Sequence, residues 1–103
     1  MGRMDDEDLV RKIVIGFLGD LPRQIQVLKD CLEAGDASST ERQAHTIKGA
    51  SASVSGEALR AVAFEMEKAG KAGNLEAFMT HMPELETQFA LLKESMSEFL
   101  NQT

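Results

Sequence analysis

The chain has 103 residues, with 17 acidic against 11 basic side chains and a formal net charge of −6 at pH 7. This length suits one domain, and we treat residues 1–103 as a single unit. No basic run or stripe is present, which argues against a nucleic-acid partner. No apolar run could span a bilayer and no signal-peptide pattern opens the sequence, so we expect no direct membrane contact.

The composition indicates an all-α protein from a reducing compartment. Trp and Tyr are absent and only two prolines occur, whereas helix-forming residues such as Ala, Leu, Glu, Lys and Met are abundant. Cys31 is the only cysteine and lies in a helical pattern, so it is expected to be a small buried or half-buried side chain without a disulfide partner. We therefore expect a cytoplasmic protein.

Two helices separated by a break are predicted for the first part of the chain. Asp5 or Asp6 can cap the first helix. Gly19-Asp20 interrupts the pattern, and Pro22 fits the first turn of the second helix, which Gly35 ends. The apolar residues spaced for one face of these helices are Leu9, Val10, Ile13, Phe17, Leu18, Ile25, Leu28 and Leu32.

Three further helices are predicted after Gly35. Asp36 or Ser38 can cap the third helix, which ends near Ser53–Gly56, and glycines close the fourth. Asn74 caps the last helix, where Pro83 is expected to cause a kink or a restart, the kink being favoured by the unbroken apolar phase. The inward-facing apolar positions of the last two helices are Leu59, Val62, Ala63, Met66, Leu75, Phe78, Met82, Leu85, Phe89, Leu92, Met96 and Phe99.

Short connections favour antiparallel neighbours. The predicted architecture is therefore an antiparallel four-helix bundle with a short additional N-terminal helix over one end.

The third helix carries two stripes of different character. Small or branched residues recur at the spacing of a buried face: Ala44, Ile47, Ser51 and Val54. One residue out of phase, His45, Lys48, Gly49 and Ala52 form a second stripe that should face solvent. The sequence thus predicts an exposed imidazole with a cation one turn further on and a glycine beside it.

These exposed residues suit one kind of chemistry. A neutral imidazole is a nucleophile near physiological pH, and Lys48 is near enough to share an anionic group carried by His45. Gly49 costs the helix about 1 kcal/mol relative to Ala, which suggests that another molecule must approach the backbone closely there.

The segment from His45 to Val54 resembles the signature of histidine-containing phosphotransfer (HPt) domains, H-x-x-K-G followed by small residues on an exposed bundle helix. The similarity covers nearly the whole chain. Further matching positions are Asp36, Leu59, the Met66-Glu67 pair and the Gly73-Asn74-Leu75-Glu76 joint. One departure is Ser55, where the family often has Gly; here Gly56 follows instead.

The resemblance implies a phosphorelay intermediate in two-component signal transduction. His45 would accept a phosphoryl group from a receiver-domain aspartate and pass it to another receiver, Lys48 would stabilise the phosphate, and Gly49 would give steric clearance. Glu41, Ala52 and Ser53 are the candidate docking residues.

No cofactor of the chain's own is expected, because it has no cluster able to hold Mg²⁺, which should come with the receiver. No Gly-rich nucleotide loop is present, so no autonomous kinase activity is expected.

Several alternatives stay open at this point. A helical adaptor could bind a receiver or kinase without carrying phosphate. Glu41 and His45 supply too few ligands for a metal site. Phe64 is out of phase with its neighbours, and packing against the last helix is favoured over an exposed docking role. His81 is expected to be merely exposed.

The organisation of the natural protein is also open. A free monomeric carrier and a domain of a membrane-anchored hybrid sensor kinase, with the kinase in cis, both fit.

Overall fold

A computed structural model describes residues 6–101 and contains no strand within that range. It has four helices: α1 Asp6–Glu33, α2 Ala37–Ser53, α3 Glu57–Lys71 and α4 Leu75–Leu100. Each helix packs against the next, and α1 also contacts α4, which closes the bundle. The prediction of an all-α four-helix bundle is confirmed.

The predicted break near the start of the chain is wrong, because α1 continues through Gly19, Asp20 and Pro22. The side chain of Asp20 accepts hydrogen bonds from Arg23 and Gln24 of the same helix. The proposed additional N-terminal helix is therefore the first half of α1.

A continuous buried stripe explains why α1 does not break. Phe17, Leu21, Ile25 and Leu28 lie on one face on both sides of the proline, and two of them are fully buried. Pro22 itself is exposed, where the carbonyl freed by its missing N–H can bond to water. Tertiary packing therefore overrides the local helix-breaking signal.

The apolar phase of the first turns of α1 also differs from the prediction. Leu9, Val10 and Ile13 are 41–49% exposed, whereas Val14 enters the core. The side chain of Arg11 donates to the carbonyl oxygen of Leu100, which ties this end of α1 to the end of α4. The side chains of Asp5 and Asp6 lie outside the part of the chain that the structure describes, so the cap at one of them stays a prediction.

The predicted caps of α2 and α4 are confirmed. Asp36 accepts a hydrogen bond from the backbone N–H of Ser39 at 3.1 Å, and Asn74 accepts one from that of Ala77 at 3.1 Å. α4 runs through Pro83 without a restart; the bend there stays a prediction. All eight predicted seam positions of α4 are buried or half-buried.

The first three helices end in the same hydrogen-bonded turn, and one of the three departs from the usual residue choice. Gly35 and Gly73 adopt φ of +72° and +73° at the residue after the cap, whereas Ser55 takes this place after α2 with φ +59°. Gly56 is one residue further on, and a Cβ there would lie 2.8 Å from a terminal methyl group of Leu92. Close packing against α4 therefore favours a residue without a side chain at position 56.

Gly70 positions α3 against α2. The sequence predicts that Gly70 and Gly73 close this helix, and Gly73 does so just after its cap. Gly70 is instead buried in the last turn of α3, where a Cβ would lie 3.0 Å from the Cα of Glu41. This close approach sets the register of the two helices. Because the two helices run in opposite directions, Glu67, one turn before Gly70, faces His45, one turn after Glu41.

Candidate functional site

The two predicted faces of α2 are present in the structure. Ala44, Ile47 and Ser51 are at most 1% exposed, and Val54 is half-buried. On the other face, the His45 side chain is 65% exposed. The imidazole therefore stands at the surface, on a helix whose opposite side is fixed in the core.

Glu67 of α3 joins the two charged groups of the α2 surface. Its Oε2 lies 2.9 Å from Nδ1 of His45, and its Oε1 lies 2.7 Å from Nζ of Lys48. The Glu67 side chain is 18% exposed, so it is held between the helices while the imidazole projects beyond it. One α3 side chain thus orients both groups that α2 presents one turn apart.

The charge state of Glu67 follows from these contacts. Lys48 contributes most to lowering the pKa of Glu67, and His45 lowers it further, while partial burial acts in the opposite direction. The carboxylate is therefore ionised near neutral pH and can only accept hydrogen bonds.

An ionised carboxylate at Nδ1 selects the tautomer of the neutral His45 ring. The proton sits on Nδ1 and is donated to Glu67, which leaves a lone pair on Nε2. Nε2 is thus the nucleophilic nitrogen of the exposed ring.

Phe64 does not pack against α4 as the sequence favoured, because its side chain is exposed at the surface of α3. Nζ of Lys48 lies 5.0 Å from the centroid of its ring, and Nζ of Lys68 lies 4.7 Å from it. Both distances are within the range of cation–π attraction. The ring therefore lies beside the Lys48 ammonium, next to Glu67.

Gly49 borders open space. A Cβ at this position would have no neighbour within 4 Å, so the fold of the chain does not require a glycine there. With Ala52, Lys48, Arg60 and Phe64, Gly49 lines a surface depression of about 300 Å³. The bare backbone beside the imidazole is thus accessible to another molecule.

The candidate docking residues fall on different sides of the site. Glu41 is half-buried where its backbone meets Gly70, and Ala52 is exposed in the depression described above. Ser53 lies toward α1, and its Oγ donates to the carbonyl oxygen of Ala50 at 2.7 Å. His81, expected to be exposed, is half-buried on α4.

Over the range 6–101, no group of three or more His, Cys, Asp or Glu residues is arranged to hold a metal ion. None of the four helices is long and apolar enough to cross a membrane.

Glu67 is the site residue that sequence reasoning missed. The Met66-Glu67 pair matches the family pattern, but nothing in the spacing of α2 or α3 alone shows that Glu67 faces His45. The close contact between Gly70 and Glu41 decides that pairing. The signal available in the sequence was Gly70, one turn after the acidic Glu67, because a glycine there allows another helix to approach closely.

The structure is a small helical bundle that presents the His45 imidazole at its surface. The Glu67 carboxylate contacts both this ring and the Lys48 ammonium. The family model described as Hpt domain matches residues 12–100. The chain therefore belongs to the Hpt domain family, whose members act in the phosphorelays of two-component signalling and interact with receiver domains. Comparisons with curated proteins and with solved structures gave no match.

Proposed function

We propose that His45 is the phosphoacceptor of this Hpt domain, taking a phosphoryl group from an aspartyl phosphate of one receiver and passing it to the aspartate of another. The observation that carries the proposal is the contact between Nδ1 of His45 and the Glu67 carboxylate on an otherwise exposed ring. That contact orients the ring and leaves its second nitrogen available to a docked partner.

The transfer step needs no proton to move. The lone pair of His45 Nε2 attacks phosphorus, and a nitrogen–phosphorus bond forms as the bond between phosphorus and the aspartate oxygen breaks. The aspartate leaves as a carboxylate, and Nδ1 keeps its proton. Onward transfer reverses the step, with the carboxylate of the second receiver as nucleophile.

Glu67 and Lys48 act on opposite charges during this step. The phosphorylated ring with a proton on Nδ1 is cationic, and the neighbouring Glu67 carboxylate stabilises it. Lys48, one turn along α2, supplies an ammonium for the anionic phosphoryl oxygens. Mg²⁺ belongs to the receiver in this proposal, since it binds carboxylates together with phosphate oxygens.

Docking of the receiver uses the exposed face of α2. Gly49 lets the partner approach the backbone beside His45, and Ala52 extends the same low surface. Glu41, half-buried beside Gly70, and Ser53, on the side toward α1, form the two edges of the proposed contact area.

Labelling tests the proposal directly. After incubation with a phosphorylated receiver, the parent chain should carry an acid-labile, base-stable phosphate, and a His45→Gln variant should not. His81→Gln is the matched control and should label like the parent. Labelling of the His45→Gln variant would refute the assignment. Binding of the receiver without any label on the parent would identify an adaptor instead.

A further inference from the structure

We propose that Phe64 is a positioning residue for Lys48, holding the lysine ammonium beside the His45 imidazole through the face of its aromatic ring. The inference rests on the phosphoacceptor role proposed for His45. Phe64 acts through Lys48 and has no direct part in the transfer.

Two α3 side chains hold the end of Lys48. Glu67 Oε1 lies 2.7 Å from Nζ, and the centroid of the Phe64 ring lies 5.0 Å from it. Phe64 and Glu67 are three residues apart and therefore neighbours on one face of α3. The Lys48 side chain is only 24% exposed, although a lysine on a helix surface is normally free to extend into water.

Restricting Lys48 in advance has a kinetic consequence. A lysine side chain has many rotamers, and it loses part of this freedom when the ammonium is fixed on an anion. Contacts that already confine Nζ before transfer reduce this loss at the moment when the phosphoryl group arrives.

The ring contributes something that a second carboxylate could not. A carboxylate forms a full ion pair and would compete with the phosphoryl oxygens for the ammonium. The ring face attracts a cation without a net charge of its own, and it does so anywhere within about 6 Å of the centroid. Lys48 can therefore shift from Glu67 toward a phosphoryl group while it stays against Phe64.

Lys68 provides an internal comparison. Its Nζ lies 4.7 Å from the centroid of the same ring, but its carboxylate partner is Glu65 at 2.9 Å, not Glu67. It shares the aromatic contact without the link to His45. Lys68→Gln therefore tests whether the loss of any positive charge beside the ring slows transfer, or only the loss of the contact between the ring and Lys48.

The experiment compares Phe64→Leu, which keeps apolar bulk but loses the ring, with Phe64→Tyr, which keeps the ring, and with Lys68→Gln. Transfer from a phosphorylated receiver is measured over a range of receiver concentrations. The leucine variant should slow transfer at saturating receiver by about two- to fivefold, the loss expected for an exposed cation–π contact. The half-saturating concentration should not change. The tyrosine variant and Lys68→Gln should match the parent.

A second measurement does not depend on the relay. In the unphosphorylated parent, the side-chain protons of Lys48 should show a ring-current shift in the NMR spectrum. The shift should vanish in Phe64→Leu and persist in Phe64→Tyr.

Three results would overturn the proposal: no ring-current shift in the parent, unchanged transfer in Phe64→Leu, or a raised half-saturating concentration with unchanged maximal rate. The last would make Phe64 a docking residue. If the parent itself takes no label, the phosphoacceptor role fails, and the NMR shift still decides whether the ring holds Lys48.

Discussion

Glu67 Oε2 lies 2.9 Å from Nδ1 of His45, so a residue of α3 determines which nitrogen of the neutral α2 imidazole keeps a free lone pair. The same carboxylate contacts Nζ of Lys48 through its other oxygen. The orientation of both groups therefore depends on how α2 and α3 pack, and several expected outcomes follow from that dependence.

Glu67→Gln should slow phosphoryl transfer to the chain without unfolding it. The amide lacks the charge that favours the phosphorylated, cationic ring, and it can donate to Nδ1, which favours the wrong tautomer. We expect a five- to tenfold lower single-turnover rate, equivalent to roughly 1–1.4 kcal/mol. Glu65→Gln, which changes a carboxylate paired with Lys68, is the matched control. Equal losses in both variants would point to a general charge effect.

Acid should remove the contribution of Glu67 to stability. Its contacts lower the pKa of Glu67 below the ordinary glutamate value of 4.5, so the folded state binds the proton less readily than the unfolded state. The contribution is complete above the unfolded-state pKa and is lost as the pH falls through the lower folded-state pKa. Urea unfolding at several pH values should show the parent more stable than Glu67→Gln at pH 7, with the difference declining below pH 4.5. A difference that does not depend on pH would contradict this.

Gly49→Gln should affect stability and function in opposite directions. The new side chain enters open space, and a glutamine is a better helix former than glycine by about 0.5–1 kcal/mol, so thermal or urea unfolding should show equal or higher stability. Transfer should nevertheless fall at least about tenfold, because the side chain occupies the approach to His45. Gly19→Gln on α1, where a Cβ also meets nothing within 4 Å, should gain stability and keep normal transfer. Normal transfer in a folded Gly49→Gln variant would remove the case for clearance.

Ser55→Gly should stabilise the protein. Ser55 has a φ of +59°, a conformation that costs an L-residue about 1–2 kcal/mol and glycine very little. Part of the gain is offset by the greater freedom of glycine in the unfolded chain, so a net increase of about 0.5–1 kcal/mol in the free energy of unfolding is expected. Gly56→Ala should not give this gain, since a Cβ there would lie 2.8 Å from a terminal methyl group of Leu92, which would have to shift. Urea unfolding measures both, and a destabilised Ser55→Gly variant would show that Ser55 makes a compensating contact.

The local patterns of the sequence determined the parts of this protein that depend on a single helix. The helical period alone separated the buried stripe of Ala44 and Ile47 from the exposed stripe of His45 and Gly49. The cap at Asn74 also followed from residues within one turn, because caps and helix faces are formed by neighbours along the chain.

Tertiary structure decided whatever depends on two helices. Buried residues on both sides of Pro22 keep α1 continuous where local signals predicted a break. Glu67 reaches His45 because Gly70 allows α3 to lie against the backbone of Glu41, and that register is a property of the packed pair. Periodicity gives the direction of a side chain on its own helix. Which residue it meets is determined by the distance and register at which the second helix packs.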